Sequence, residues 1–226
     1  MLSGTLLSLL IAALAVVVFF DVITLSFSRL GLPPWATILL FVASFVGSRV
    51  NVPIWQSAHT VPGHPVVLHR FFFYTPPYVT NQVVAINVGG AVIPMLLSLW
   101  LLTRTPILRT VCATIAVAVV SHAAASVVPG RGVVMPVWIA PVTAALLGLI
   151  LTRGHGAAPL AYIAGTMGAL IGADLLNLPR LYTMGSGVLS IGGAGVFDGV
   201  FLAGLVAVLI SFERPRRPKY PRPVNI

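Results

Sequence analysis

The sequence predicts an all-α fold, a polytopic bundle of about seven transmembrane helices with the N-terminus outside and the C-terminus inside. Three observations predict it. Of 226 residues, 58% are hydrophobic and only 8% are charged, and the mean hydropathy is +1.03. The apolar residues gather into runs close to the length that crosses a hydrocarbon core. The basic residues sit between these runs, as loop charges do in membrane proteins.

The first run, Leu2–Phe27, has no Lys or Arg before Arg29 and no convincing cleavage site. It reads as a retained helix, not a secretory signal. The second, Leu32–Ser48, is the shortest and is either a span or a re-entrant segment. The third to seventh are Gln82–Leu102, Pro106–Val127, Val133–Leu151, Ala158–Leu176 and Val188–Phe212. Their separators carry Pro, Gly and Arg, which punctuate helices: Gly31-Leu-Pro-Pro34, Thr103-Arg-Thr-Pro106, Pro129-Gly-Arg-Gly132 and Arg153-Gly-His-Gly156. Residues 1–212 form one transmembrane domain in this reading. Residues 213–226 form a basic, proline-rich cytoplasmic tail that serves as a topology signal or as an anchor on anionic headgroups.

With seven spans, Arg29, Arg104, Arg109, Arg153 and the tail's Arg214, Arg216, Arg217, Lys219 and Arg222 fall on the C-terminal side. They outnumber Arg49, Arg70, Arg131 and Arg180 on the other side, which makes the C-terminal side the inner one. The long connection from Arg49 to Asn81 is then outside. It holds Pro53, Pro62, Pro65, Pro76 and Pro77, the histidines His59, His64 and His69, and the run Phe71-Phe-Phe-Tyr74. It is expected to lie on or dip into the outer face and to cover a polar pocket there. The irregular histidine spacing favours solvated or interfacial side chains over a metal site.

Small and polar residues mark the faces that meet protein. In the third run these are Asn87, Gly90, Ala91, Pro94 and Ser98; in the fourth, Thr114, Ala118, Ser121 and Ala125, with His122 beside them. The sixth carries Ala161, Gly165, Gly168 and Gly172 on one side and Asp174 and Asn177 on the other, so it is expected to be central. The seventh carries Gly192, Gly195, Gly199 and Ala203 in a row. The lone Cys112 reads as a small packing residue.

Only Asp21, Asp174, Asp198 and Glu213 are acidic. Asp21 lies toward the inner face and apart. Asp174 ends the sixth run and Asp198 opens the seventh, and consecutive antiparallel helices place both near the outer face at similar depth. Asn87, His122, Asn177, Arg180 and Gly195 belong to the same expected pocket. Three readings stay open. Two close carboxylates can share a proton and activate water. A carboxylate pair with His122 can bind a cation or relay protons. Or Asp174 pairs with Arg180, and Asp198 caps a helix, with no chemistry.

Other classes are weaker. The net charge of +9 forms no basic face, so nucleic acid is not an expected partner. There is no H-E-x-x-H, no paired-cysteine motif and no G-x-S-x-G, and Gly192-Gly-Ala-Gly195 lacks the Lys-Ser/Thr ending of a phosphate loop. No metal and no cofactor are expected. The expected partner is the lipid bilayer, with a homo-oligomer as an option and the substrate unknown.

Asn87-Val-Gly-Gly-Ala-Val-Ile-Pro94, Ile171-Gly-Ala-Asp-Leu-Leu-Asn-Leu178 and Ser190-Ile-Gly-Gly-Ala-Gly-Val-Phe-Asp-Gly199 resemble the signature blocks of a prokaryotic membrane family, domain of unknown function number sixteen-fourteen. The resemblance runs roughly from Leu39 to Ile210 and implies a multi-pass protein of the cytoplasmic membrane, without supplying an activity. Gly195-Val-Phe-Asp198 also resembles the G-x-G-D segment of presenilin-like and prepilin-peptidase-like intramembrane aspartyl proteases. That resemblance implies a hydrolase with Asp174 and Asp198 as the catalytic pair. The alternatives are a proton- or cation-coupled solute transporter and a structural membrane protein.

Overall fold

The computed structural model describes residues 2–61, 65–68, 71–74, 78–128, 132–153, 156–182, 187–193 and 199–211. Most of them are helical. The helices are α1 (Leu2–Arg29), α2 (Pro34–Gly47), α3 (Ile93–Leu102), α4 (Ile107–Ala124), α5 (Ile139–Thr152), α6 (Ala157–Ala169), α7 (Leu178–Tyr182) and α8 (Gly199–Ile210). Three segments, Ile11–Arg29, Ile107–Ala124 and Ala157–Leu181, are long and apolar enough to cross a membrane. Pro34–Gly47, Val88–Leu102 and Ile139–Thr152 are apolar but shorter. At 1.5 Å per residue these helices reach roughly 21–23 Å, less than the ~30 Å of a hydrocarbon core. These features mark a membrane protein.

The all-α expectation needs correction, because strands occupy one end of the bundle. They are β1 (Asn51–Val61), β2 (Pro65–Leu68), β3 (Phe71–Tyr74), β4 (Tyr78–Asn87), β5 (Ser126–Val128), β6 (Gly132–Val134) and β7 (Gly187–Ile191). β1 and β4 pair antiparallel from Asn51 opposite Asn87 to Val61 opposite Tyr78. The ladder slips between Pro53 and Trp55, where proline has no N–H to give. β7 joins β4 in parallel, Gln82 beside Gly187 through Ile86 beside Ile191. A parallel pair needs a crossover, and here α3 to α7 supply it. The segment expected as a covering loop is therefore a long β-ribbon at its two ends. His59 lies on β1, and His64 and His69 are outside the described residues.

The same correction shortens several expected helices. Gln82–Asn87 is strand, and a π-helix, Val88–Val92, stands between it and α3. Val188–Ile191 is strand too, so the seventh run is not one helix. Val127 and Val133 pair across the β5–β6 hairpin.

The central place expected for the sixth segment is observed. Within α6, every residue but Pro159 and Met167 is buried. Gly165 faces Ala203, Ala207 and Ala144, while Gly168 and Gly172 face Val117 and Ala118. Glycine lets α4, α5 and α8 approach one rod closely. The outward faces carry Leu108, Ile150 and Val119, all exposed. Cys112 also lies on that outer surface, not in a packing seam as expected.

Among the described residues, the end away from the sheet gathers Arg29, Arg104, Arg109 and Arg153. Away from the sheet, the Arg29 guanidinium donates to the carbonyls of Val208 and Leu209 at 3.2 Å each. Arg109 donates to Leu151 O at 3.1 Å, and Arg104 stacks 3.8 Å over the Trp100 ring. Arg153 closes α5 at this same end.

Candidate functional site

The site grows from the ends of β4, β7 and α6. β4 stops at Asn87, whose backbone is still extended at φ −77° and ψ 127°. Its Oδ1 accepts the Gly90 N–H at 2.7 Å and so caps the π-helix. Its Nδ2 donates to Ser48 O at 2.8 Å and to Asn51 Oδ1 at 3.1 Å. Asn87 is 1% exposed, so these bonds replace water entirely. One short amide thus ties α2, β1, β4 and the π-helix together. Close contact reinforces the tie: a Cβ on Gly89 would run into Ser44 O and Ser48 N.

Asn51 Oδ1 also faces Ser190 Oγ on β7, at 2.6 Å. Ser190 Oγ lies 2.6 Å from Gly193 O as well. A hydroxyl has one proton, so Ser190 donates to one of these oxygens at a time.

α6 does not end cleanly. It widens into a second π-helix, Leu170–Asp174, tightens into a 3₁₀ turn, Leu175–Asn177, and resumes as α7. Such changes of pitch remove regular backbone partners, and π-turns recur at functional sites. Side chains supply the missing partners here. Asn177 Nδ2 donates to Gly172 O at 3.2 Å and to Ala173 O at 2.9 Å. His122 Nδ1 lies 3.3 Å from Gly172 O, which requires the proton on Nδ1. Arg180 donates to Asn177 Oδ1 at 3.4 Å.

Asp174 joins the two halves. Its Oδ2 accepts the Gly192 N–H at 2.7 Å, just past the end of β7. Gly192 has φ +83°, the left-handed region that glycine enters without strain. A Cβ there would also strike Ala91. The turn is thereby held between Asp174 at the end of one π-helix and Ala91 in the other. Buried Gln82 adds a strut, its Nε2 donating to Leu181 O at 3.1 Å.

Of the expected pocket residues, Asp174 bonds the Gly192 turn, which packs on Gly90 and Ala91 of the π-helix that Asn87 caps, and His122, Asn177 and Arg180 gather on the break in the sixth helix. Asp198 and Gly195 lie outside the described residues. Among the described residues, no group of three or more His, Cys, Asp or Glu could hold a metal ion. Asn51, Ser190 and Gln82 were missed by the sequence reading. An internal repeat carries the signal for Ser190: Val83-Val-Ala-Ile86 precedes Gly89-Gly-Ala91, and Val188-Leu-Ser-Ile191 precedes Gly192-Gly-Ala194. The two copies pair as parallel strands with Ile86 beside Ile191.

The family model described as Protein of unknown function (DUF1614) matches residues 45–210. The chain belongs to the DUF1614 family. No curated protein and no solved structure matches it. Every side chain of the polar cluster lies inside the DUF1614 match, whereas α1 precedes it.

Proposed function

We propose that this DUF1614 protein is a multi-pass protein of the cell membrane that moves a proton or small cation, alone or with a solute, through the site centred on Asp174. The reading takes seven spans, α1 to α6 and α8, with the N-terminus outside and the C-terminus and basic tail inside. Arg29, Arg104, Arg109 and Arg153 at the end away from the sheet support that orientation.

One observation carries the transport reading: Asp174 sits where the most buried helix of the bundle loses its regular pitch. Discontinuous helices with a carboxylate at the break are the way transporters build ion sites, because irregular backbone survives at membrane depth only inside protein or beside a water-filled path. Around the break, His122 adds an imidazole that can relay a proton, and Asn177 and Arg180 add hydrogen-bonding groups.

The test is proton flux into proteoliposomes. Purified protein is reconstituted with an entrapped pH dye, and a potassium diffusion potential is applied with valinomycin. Wild type should acidify the lumen and Asp174→Asn should not. Proton flux no greater than in protein-free vesicles, together with no sodium or potassium uptake above them, would remove the reading.

Hydrolysis is the second reading, and the Asp174–Gly192 bond favours it. That bond places Gly192, which precedes Asp198 by six residues in the sequence, on the Asp174 carboxylate. An aspartyl hydrolase would cleave a reconstituted transmembrane peptide and lose cleavage with either Asp174→Asn or Asp198→Asn. A variant-insensitive cleavage would point to a contaminant and end this reading.

A further inference from the structure

Two acidic residues fall among the described residues, and they are treated oppositely by the fold. Asp174 accepts a backbone N–H. Asp21 is exposed on α1 and has no hydrogen bond or ion pair among the described residues. Yet Asp21 lies inside the apolar segment Ile11–Arg29, which is long enough to cross a membrane. It is roughly 12 Å along the helix axis from Arg29, at 1.5 Å per residue. With Arg29 at an interface, that depth is near the middle of the hydrocarbon. Lipid tails offer a carboxyl group nothing, and none of the described residues bonds it, which leaves room for a partner from a second chain.

The surface around Asp21 states what that partner is. The buried side of α1, with Ile23, Phe27 and Leu30, packs on the bundle. The opposite side carries Leu14, Val18, Asp21, Leu25 and Ser28, all exposed. Their spacing alternates four and three, which is the seam of a left-handed helix pair. A polar residue at one seam position fixes register in such pairs. Two copies of the chain insert with the same orientation, so a two-fold axis parallel to the membrane normal brings Asp21 onto its own mate. Like carboxylates cannot both ionise at contact, and one proton shared between them makes a strong O–H···O bond in a dry site. The seam is thus self-complementary without any basic residue.

We infer that α1 is the contact face of a parallel homodimer, with Leu14, Val18, Leu25 and Ser28 packing across the axis and Asp21 hydrogen-bonded to its counterpart. This inference needs only that α1 spans the membrane and is independent of the transport reading.

The test uses the full chain in lipid vesicles at high dilution, with subunits counted by single-molecule photobleaching. A Cys112→Ser background is used for disulfide trapping, since Cys112 is itself exposed. Wild type should be dimeric, and Leu25→Cys or Val18→Cys should cross-link on oxidation. Ile38→Cys, exposed on α2, should not. Asp21→Asn, which keeps donor and acceptor, should stay dimeric. Asp21→Leu should cut the dimer fraction at least tenfold while its circular dichroism is unchanged. A wild-type monomer would overturn the inference and point instead to a foreign helix with a basic residue. A dimer that survives Asp21→Leu, or that cross-links through Ile38→Cys and not Leu25→Cys, would overturn it as well.

Discussion

Asp174 Oδ2 holds the backbone N–H of Gly192 at 2.7 Å, and this bond links the break in the sixth helix to the end of the parallel strand pair. The acceptor is a side-chain carboxyl oxygen and the donor is a main-chain amide at φ +83°. A turn that depends on both a left-handed residue and a side-chain acceptor cannot shift without losing one of them. The two copies of the Gly-Gly-Ala element meet here, since Gly192 of one contacts Gly90 and Ala91 of the other.

Gly192→Ala should therefore be among the more damaging single-methyl changes in the chain. The new Cβ is strained by the backbone angle and meets Ala91 as well. The expected loss is about 1–3 kcal/mol. A thermal melt in detergent should show a clear fall in Tm. A Tm equal to wild type would mean that the turn is free to rearrange.

Asn87 separates into an acceptor and a donor. Asn87→Asp keeps the oxygen that caps the Gly90 N–H but removes the amide protons given to Ser48 O and Asn51. Asn87→Ala removes both. Alanine should cost about 2–4 kcal/mol, because a cap is lost and buried groups go unpaired. Aspartate should also destabilise, since it places a carboxylate against two oxygens. Hydrogen exchange should locate the loss at Val88–Val92 and Ser48–Asn51, and uniform exchange elsewhere would contradict the local account.

Hydropathy located the helices because burial in lipid or protein needs the same residues. It misplaced some of their ends, because Val83-Val-Ala-Ile86 and Val188-Leu-Ser-Ile191 are as apolar as the helices that follow, and so short an apolar run has no period to distinguish strand from helix. The β-branched residues and the Gly-Gly after each run were the available signal. Asn87, Asp174, His122 and Asn177 stood out as polar residues in apolar surroundings, and each proves to make specific bonds. Asn51 and Ser190 did not stand out, because polar residues at strand ends are ordinary and their meeting depends on the parallel pairing of β4 and β7.

Gly172 tests the packing of α4 on the sixth helix. A Cβ there would land on the backbone of Ala118, which has no flexible atom to move aside. Gly172→Ala should force the helices apart and weaken the His122 contact to Gly172 O, at a cost of about 1–3 kcal/mol. An exposed control, Leu108→Ala, should leave Tm within about 0.5 kcal/mol equivalent of wild type. Equal effects from both would show that detergent, not helix packing, dominates the measurement.

Asp174 itself allows its structural and chemical parts to be read separately. Asparagine at 174 has nearly the same shape and keeps an oxygen that can accept the Gly192 N–H. Leucine has neither an acceptor nor a charge. If the carboxylate serves only the turn, Asp174→Asn should behave like wild type in every assay, while Asp174→Leu should lose about 1–3 kcal/mol by stranding a buried N–H. If the carboxylate also carries a proton or cation, Asp174→Asn should melt close to wild type yet pass no current in the vesicle assay. The asparagine variant therefore decides, because folding and flux separate only when the charge has a task of its own. Matching loss of Tm and flux in Asp174→Asn would trace both to the Gly192 bond and leave Asp174 as a positioning residue of the strand-to-helix turn.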